Sequence, residues 1–408
     1  MAIGSAGDLF PMLKLALALR EQGHRISFLG PEQHRPYVEG AGLPFRGVPV
    51  DEAVLDDPRL WDARHGFGVV WRATREAAAD LMAYADTLPA QQPCVLVVHP
   101  LALPEADLCR EARPDLRIAA VYLAPSNLPT VHDPLLIGPV RVPRWVPFAA
   151  RRWLWRRIGT SLVDPVVLPG LNAQRARRGL APVRDAFAYL FRVADVSLAL
   201  FPAWFGPTQP DWPQPLLHGG FALYDPAPEA AFSPALGRFL AEGDAPLIFT
   251  PGTGNRQAAA FFQAAAAATQ QLGRRAIFLT PHEAQLPASL PPSILWQPYV
   301  PLRKLLPAAA ALVHHGGIGT TAEGLLSGIP QLVVPFAHDQ FDNAARVTTL
   351  GVGLSLPAAQ LSAVRLTHRL RHLLSSRAFA VKSRALASRF GPGQDFDKLC
   401  AALAPLAS

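Results

Sequence analysis

Cysteine is scarce in this chain of 408 residues: Cys94, Cys109 and Cys400 stand far apart, with no CxxC or Cys/His spacing. That excludes a disulfide framework and a zinc ribbon and fits a reduced compartment. Charge is also sparse. Charged residues make up 17% and hydrophobic ones 50%, which excludes a disordered chain and allows large cores. No apolar run reaches the ~18 residues of a membrane-spanning helix, and no secretory leader pattern is found. The expectation is a cytoplasmic protein. Two nucleotide signatures are missing, the GxxxxGK[ST] of a P-loop and a GxGxxG between strand and helix, so an NAD-binding Rossmann protein is a minor alternative.

The length suits two domains. The 42 prolines are spread along the chain, and there is no internal repeat. A formal net charge of +7, mostly arginine, suits an anionic ligand: a nucleotide diphosphate, a fatty acid or a membrane surface. Nucleic acid is disfavoured because no recognised binding module is present.

Apolar runs bounded by turn residues alternate with helical patterns, which predicts parallel sheets covered on both faces, an α/β fold. Strands are predicted over 25–29, 94–99, 118–123 and 196–201, then over 247–250, 276–280, 311–314 and 331–334. A helix is predicted over 11–22, closed by Gly23. The stretch 206–234, rich in Pro, Gly and Asp, reads as an inter-domain connection. Only Met1, Ala2 and Ile3 precede the first turn glycine, Gly4, and a first strand belongs near the middle of a doubly wound sheet. The expectation is that the native start lies several codons upstream.

The run His314-His315-Gly316-Gly317-Ile318-Gly319-Thr320-Thr321-Ala322-Glu323-Gly324 follows an apolar strand and opens a helix. Glycines let a ligand approach the backbone, and a helix N-terminus presents free N–H groups to a diphosphate. Thr320, Thr321 and His315 add donors. An ordinary strand-to-helix turn is the alternative. Farther on, Gly328-Ile329-Pro330 leads through a strand to His338-Asp339-Gln340-Phe341-Asp342-Asn343. Asp339 and Gln340 follow a strand end and offer acceptors and donors for sugar hydroxyls.

Together these residues resemble the donor-binding signature of the GT-B glycosyltransferases of the UDP-glycosyltransferase family. The pattern H-x-G-x-x-S-x-x-E, then G-x-P, then D-Q, matches without a gap from His315 to Gln340, with Thr320 at the Ser position. The resemblance implies two Rossmann-like α/β/α domains facing across a cleft. It implies an N-terminal acceptor domain (1–215), a C-terminal nucleotide-sugar domain (216–388) and a helical tail (389–408) packing back on the first. His315, Gly316, Gly317, Gly319 and Thr320 would contact the diphosphate, Glu323 the ribose, and Asp339 and Gln340 the sugar. Tyr299 stands near the position of a base-stacking Trp in plant members, with Trp296 as a competitor. Gly252 and Thr253, in Thr250-Pro251-Gly252-Thr253, resemble the family's loop beside sugar and diphosphate.

The N-terminal run Gly4-Ser5-Ala6-Gly7-Asp8-Leu9-Phe10-Pro11 resembles the G-S-x-G-D-x-x-P turn of bacterial antibiotic and sterol glycosyltransferases. Asp8 would be the catalytic base and Ser5 an acceptor contact; Asp8 taken alone reads as a helix N-cap. His99, after a strand end, is a further acceptor-side candidate. Asp57–Asp62 with Phe67–Trp71, and Leu200–Phe205 with Gln209–Pro215, resemble the catalytic rhamnosyltransferases of rhamnolipid synthesis. That resemblance implies dTDP-L-rhamnose as donor, a 3-(3-hydroxyalkanoyloxy)alkanoate as acceptor and a partner enzyme that makes the acceptor. No divalent cation and no further cofactor are expected. A glycosyltransferase using UDP-glucose or another donor on a sterol, polyketide or other small hydrophobic acceptor, a nucleotide-sugar epimerase and an inactive auxiliary relative are the rival functions. Finally, six arginines and three tryptophans interleave over 141–159. They read either as a peripheral contact with the inner membrane or as a surface helix with its aromatics turned to the core.

Overall fold

The computed structural model describes the whole chain except residues 63–64, 90–91, 134–135, 139, 228–230, 392–393 and 408. The chain forms two compact units, Met1–Tyr224 with Gly393–Ser408, and Asp225–Pro392.

In the first unit the strands are β1 (Phe28–Pro31), β2 (Phe45–Val48), β3 (Cys94–Val98), β4 (Leu116–Tyr122), β7 (Val196–Ala199) and β8 (Leu216–His218), with a small hairpin of β5 (Leu136–Ile137) and β6 (Val140–Arg141). β1 pairs with β2, and β3-β4-β7-β8 form a second group, all parallel. Residues 1–3 join the two groups. The Ala2 N–H donates to Leu29 O at 3.0 Å, the Met1 ammonium to Val97 O at 2.6 Å, and the His99 N–H to Met1 O at 3.4 Å. Met1, Ala2 and Ile3 are buried, so this short segment occupies the centre of the parallel arrangement. β4 is apolar after the exposed Arg117 because both its faces are covered there; Ile118, Ala119, Ala120 and Val121 are wholly buried.

Several elements differ from their predicted bounds. β1 begins at Phe28 rather than Arg25, because Arg25 is exposed and bonds the side chain of Gln92. Helix α1 (Ala6–Glu21) begins five residues before Pro11, because the Ser5 hydroxyl caps it by accepting from the Gly7 N–H. Pro11 lies inside the second turn and forgoes one backbone bond there. The proline-rich stretch read as a connection is partly sheet, since Leu216–His218 adds to β7. Helix α2 (Phe148–Ile158) runs through a π turn at Gly159–Val163 into a helix over Asp164–Ala176. The C-terminal helix Gln394–Leu403 belongs to this unit, with Leu399, Cys400 and Leu403 buried.

The second unit holds β9 (Leu247–Thr250), β10 (Ala276–Leu279), β11 (Ile294–Gln297), β12 (Ala311–His314), β13 (Gln331–Val333) and β14 (Gly353–Ser355). Their order is β11-β10-β9-β12-β13-β14, all parallel. Phe249, Phe261, Phe262 and Phe278 fill one face of the sheet with edge-on and tilted ring contacts. Helix α3 (Ile318–Ser327) follows β12, and helix α4 (Gln340–Leu350) follows β13.

In each unit the strand order reverses at one place. In the second it reverses between β9 and β12; in the first, between residues 1–3 and β3. Ligands of doubly wound sheets bind at the carboxyl ends of the strands flanking such a point.

Candidate active site

The second unit's reversal point carries Thr250–Thr253 after β9 and His315–Gly317 after β12. Gly252 has φ +85°, a conformation that side chains rarely adopt, and a Cβ there would stand 2.7 Å from the His315 ring. A Cβ on Gly317 would also run into that ring. His315 is therefore held between two bare backbone segments. It is half-buried, its Nδ1 is covered and without a hydrogen-bond partner, and burial pushes its pKa down to about 4. A neutral ring supplies one N–H.

His314 has a different role. It is wholly buried, and its Nε2–H donates to Gln331 Oε1 at 2.9 Å while Nδ1 accepts the Gly316 N–H at 3.1 Å. Burial, then the neighbouring His315, push it down to about 3 against the Gln331 bond. It fixes the turn and is not available to a ligand.

Gly317 is the N-cap of α3. No side chain caps this helix and no acidic residue lies in its first turn. The first backbone bond within the helix is Thr321 N–H to Gly317 O at 2.9 Å. The N–H groups before it point from the helix N-terminus with their partial positive charge. Nothing lies within 4 Å of where a side chain on Gly319 would begin, and Thr320 is half-buried beside it. Thr321 does not serve as a ligand donor, because its hydroxyl is spent on Gly317 O at 3.0 Å.

Glu323 lies one turn farther along α3. Its side chain is 13% exposed and meets Arg303 Nη2 at 2.9 Å. Burial raises its pKa and Arg303 lowers it. The Gln340 side-chain carbonyl accepts the Phe336 and Ala337 N–H groups at 2.8 and 3.1 Å, which leaves its NH2 as the group able to donate. Asp339 accepts from Asn343 Nδ2 at 2.8 Å. The preceding His338 has φ +53°, a left-handed conformation of the kind that gathers at functional loops. Asn343 Nδ2 also donates to Gly316 O at 2.8 Å, tying the two signature loops together. Trp296 commits its indole N–H to Thr280 O at 2.9 Å, whereas Tyr299 is 52% exposed.

At the first unit's reversal point Asp8 is the third residue of α1, not its N-cap. Its Oδ2 accepts the Ser5 N–H at 2.8 Å and the Ser5 hydroxyl at 3.3 Å, closing a capping box. Gly4, at φ +128°, leaves space that the Asp8 carboxylate occupies. Burial pushes the carboxyl up to about 6, while the Ser5 bonds pull it down. His99 directly follows β3 and caps the turn Pro100–Ala102 by accepting the Leu101 N–H at 3.3 Å. It is buried and pushed down to about 4.

Three residues at these sites carry roles that no local pattern announces: Arg303 on Glu323, Asn343 on Gly316, and His282, whose Nε2 stands 3.3 Å from Thr253 O.

Residues 1–93 match the glycosyltransferase family 28 N-terminal domain, and residues 274–390 match the C-terminal domain of erythromycin biosynthesis protein CIII-like proteins. The L-demethylnoviosyl transferase of Streptomyces niveus is 30% identical, over 86% of this chain and 82% of its own. The O-mycaminosyltylonolide 6-deoxyallosyltransferase of Streptomyces fradiae is 29% identical, over 98% and 95%. Among solved structures, the glycotransferase of kitacinnamycin superposes with a TM-score of 0.77 at 19% identity, covering 100% of this chain and 97% of that one. The spinosyn rhamnosyltransferase complexed with thymidine diphosphate gives 0.66 at 21%, covering 100% of each. The chain belongs to the GT-B glycosyltransferase family, in the branch of macrolide and antibiotic glycosyltransferases, and is a glycosyltransferase.

Proposed function

We propose that the chain transfers L-rhamnose from dTDP-L-rhamnose to the hydroxyl of a 3-(3-hydroxyalkanoyloxy)alkanoate, with inversion and without a divalent cation. The observation that carries donor binding is the uncapped, acid-free N-terminus of α3 beside the neutral ring of His315, at the reversal point of a parallel sheet. The choice of sugar and acceptor is supported by the resemblance carried by Asp57–Trp71 and Leu200–Pro215. It is also supported by the name of the Streptomyces fradiae relative, which specifies a 6-deoxyhexose; rhamnose is one too.

In this reading the Asp8 carboxylate takes the proton of the acceptor hydroxyl. The freed oxygen attacks the anomeric carbon, and the bond from that carbon to the diphosphate oxygen breaks. The negative charge on the departing dTDP falls to the N–H groups of Gly317 to Thr320, the Thr320 hydroxyl and the His315 ring. Gly252 and Thr253 border the same phosphates, and Tyr299 takes the base. Glu323, shared with Arg303, holds the ribose. Asp339 accepts from sugar hydroxyls and the Gln340 NH2 donates to them. Ser5 orients Asp8, and His99 borders the acceptor. A lipid acceptor also implies a partner enzyme that makes it and work in the cytoplasm close to the inner membrane.

A donor-by-acceptor assay tests this reading. It sets dTDP-L-rhamnose, UDP-glucose and UDP-glucuronate against hydroxyalkanoate dimers and a sterol. The expected result is rhamnosyl transfer to the dimers. Transfer to the sterol alone would favour the second reading, a glycosyltransferase for another hydrophobic acceptor. Release of altered sugar with no acceptor present would mark an epimerase.

A further inference from the structure

One stretch of the first unit has no part in the proposed transfer. Between Asp133 and Asp164 the chain holds six arginines and no acidic residue, which accounts for nearly all of the formal excess of +7. The same stretch holds half of the large hydrophobic side chains exposed among the described residues: Val140, Trp145, Phe148, Trp153 and Leu162. Trp145 is 82% exposed and Trp153 65%. The alternative in which the aromatics turn to the core holds for Trp155, which stacks on Phe187 at 5.6 Å, and fails for these two.

Helix α2 has two faces, and none of its residues is fully buried. Arg151, Leu154, Trp155 and Ile158 recur at helical spacing and lie against the body of the unit, while Ala149, Arg152, Trp153 and Arg156 recur on the opposite, exposed face. The inner face is firmly held. Arg151 donates to Val131 O at 2.9 Å. Asp211 in turn accepts the Thr130 hydroxyl at 2.6 Å and the Val131 N–H at 2.9 Å. Ahead of the helix, the exposed Arg144 meets Asp133 at 3.1 Å. Among the described residues Arg152, Arg156 and Arg157 form no ion pair with a carboxylate.

An exposed row of guanidinium groups without carboxylate partners, Arg152 lying 5.1 Å from the Phe148 ring, around outward-facing indoles matches one surface chemistry. Arginine binds phosphate oxygens, and tryptophan settles at the level of lipid headgroups. At 11 residues α2 is too short to cross a bilayer, and among the described residues no helix is long and apolar enough to do so. Such a helix lies flat on the surface. We propose that α2 and Trp145 dock the protein on an anionic phospholipid bilayer. Arg152, Arg156 and Arg157 sit on the lipid phosphates, and Trp145 and Trp153 sit in the headgroup layer. The proposal does not depend on which sugar or acceptor the enzyme uses.

Co-sedimentation with vesicles tests it. The full chain is mixed with vesicles of phosphatidylglycerol and phosphatidylcholine in equal parts, and separately with phosphatidylcholine alone. Binding to the anionic vesicles that weakens with added salt is expected. Arg152→Ala with Arg156→Ala should lower the partition about 25-fold, at about fivefold per arginine. Trp153→Ala should lower it too, with a smaller blue shift of the tryptophan emission on binding, the remainder coming from Trp145. All three side chains point outward, so unchanged thermal melting serves as the control for folding. Equal sedimentation of wild type and double variant, or equal binding to neutral vesicles, would overturn the proposal. A wild-type dimer in the ultracentrifuge that Trp153→Ala dissolves would also overturn it, assigning the face to a second copy. Transfer in detergent-free buffer to a water-soluble acceptor should be unchanged in these variants, which separates a failure of docking from a failure of the transfer reading.

Discussion

The side-chain amide of Asn343 donates to the carbonyl of Gly316 at 2.8 Å, a bond between α4 and the turn before α3. The same amide reaches the Asp339 carboxylate at 2.8 Å. The proposed diphosphate contacts and sugar contacts are thereby held in one frame. Asn343→Ala removes both bonds from a fully buried position and should cost about 1–3 kcal/mol of stability. Thermal melting should show that loss, and titration calorimetry should show weaker dTDP binding. A variant that melts and binds like wild type would mean the two loops hold their places without Asn343.

Gly252, Gly317 and Gly319 separate packing from ligand contact. A Cβ at either of the first two runs into His315, whereas a Cβ at Gly319 meets nothing within 4 Å. Gly252→Ala and Gly317→Ala should weaken dTDP binding by at least about tenfold, the equivalent of one hydrogen bond to a charged group. Gly319→Ala lies within a helix and should melt up to about 1 kcal/mol more stably. Equal dTDP affinity in all three variants would remove His315 from the donor site.

His314 makes stability depend on pH in a defined sense. Its pKa falls from 6.5 to about 3 on burial, so between those values the unfolded chain binds a proton that the folded chain refuses. Its contribution is complete above pH 6.5 and is lost as pH drops. His314→Gln should be less stable than wild type at neutral pH, and the gap should shrink by about 1.4 kcal/mol per pH unit below pH 6.5. Urea unfolding at several pH values measures the gap. Parallel curves for the two proteins would contradict the buried neutral imidazole.

How far the sequence announces these features depends on their chemistry. β10, residues 118–122 of β4, 247–249 of β9 and 311–313 of β12 are buried on both faces and appear as apolar runs. β2 and β8 are edge strands that are partly exposed, and β14 opens on a glycine, so none of them stands out. The loops of the candidate donor site are legible because consecutive residues build them. Arg303 and Glu323 are 20 positions apart, and Asn343 and Gly316 are 27 apart; only the packed sheet brings such pairs together. The Arg/Trp pattern over 141–159 leaves two readings open, and only the packed structure separates the exposed Trp145 and Trp153 from the inward Trp155.

The pH dependence of transfer follows from Asp8. Burial raises its pKa from 3.8 to about 6, so the carboxylate is protonated, and inactive as a base, below that value. The kcat/KM of transfer should rise through about pH 6 and level off above it. Ser5→Ala removes one lowering contact and should move the rise to higher pH. A profile flat across that range would exclude Asp8 as the titrating base.

Asp8→Asn puts the account's central claim to the most direct test. Turnover should fall by about 10²–10⁴, while the Kd for dTDP, measured by calorimetry on the same preparation, stays at the wild-type value. Near-normal turnover would remove Asp8 from the reaction, and a matching loss of dTDP affinity would show that the residue supports donor binding instead of taking the acceptor's proton.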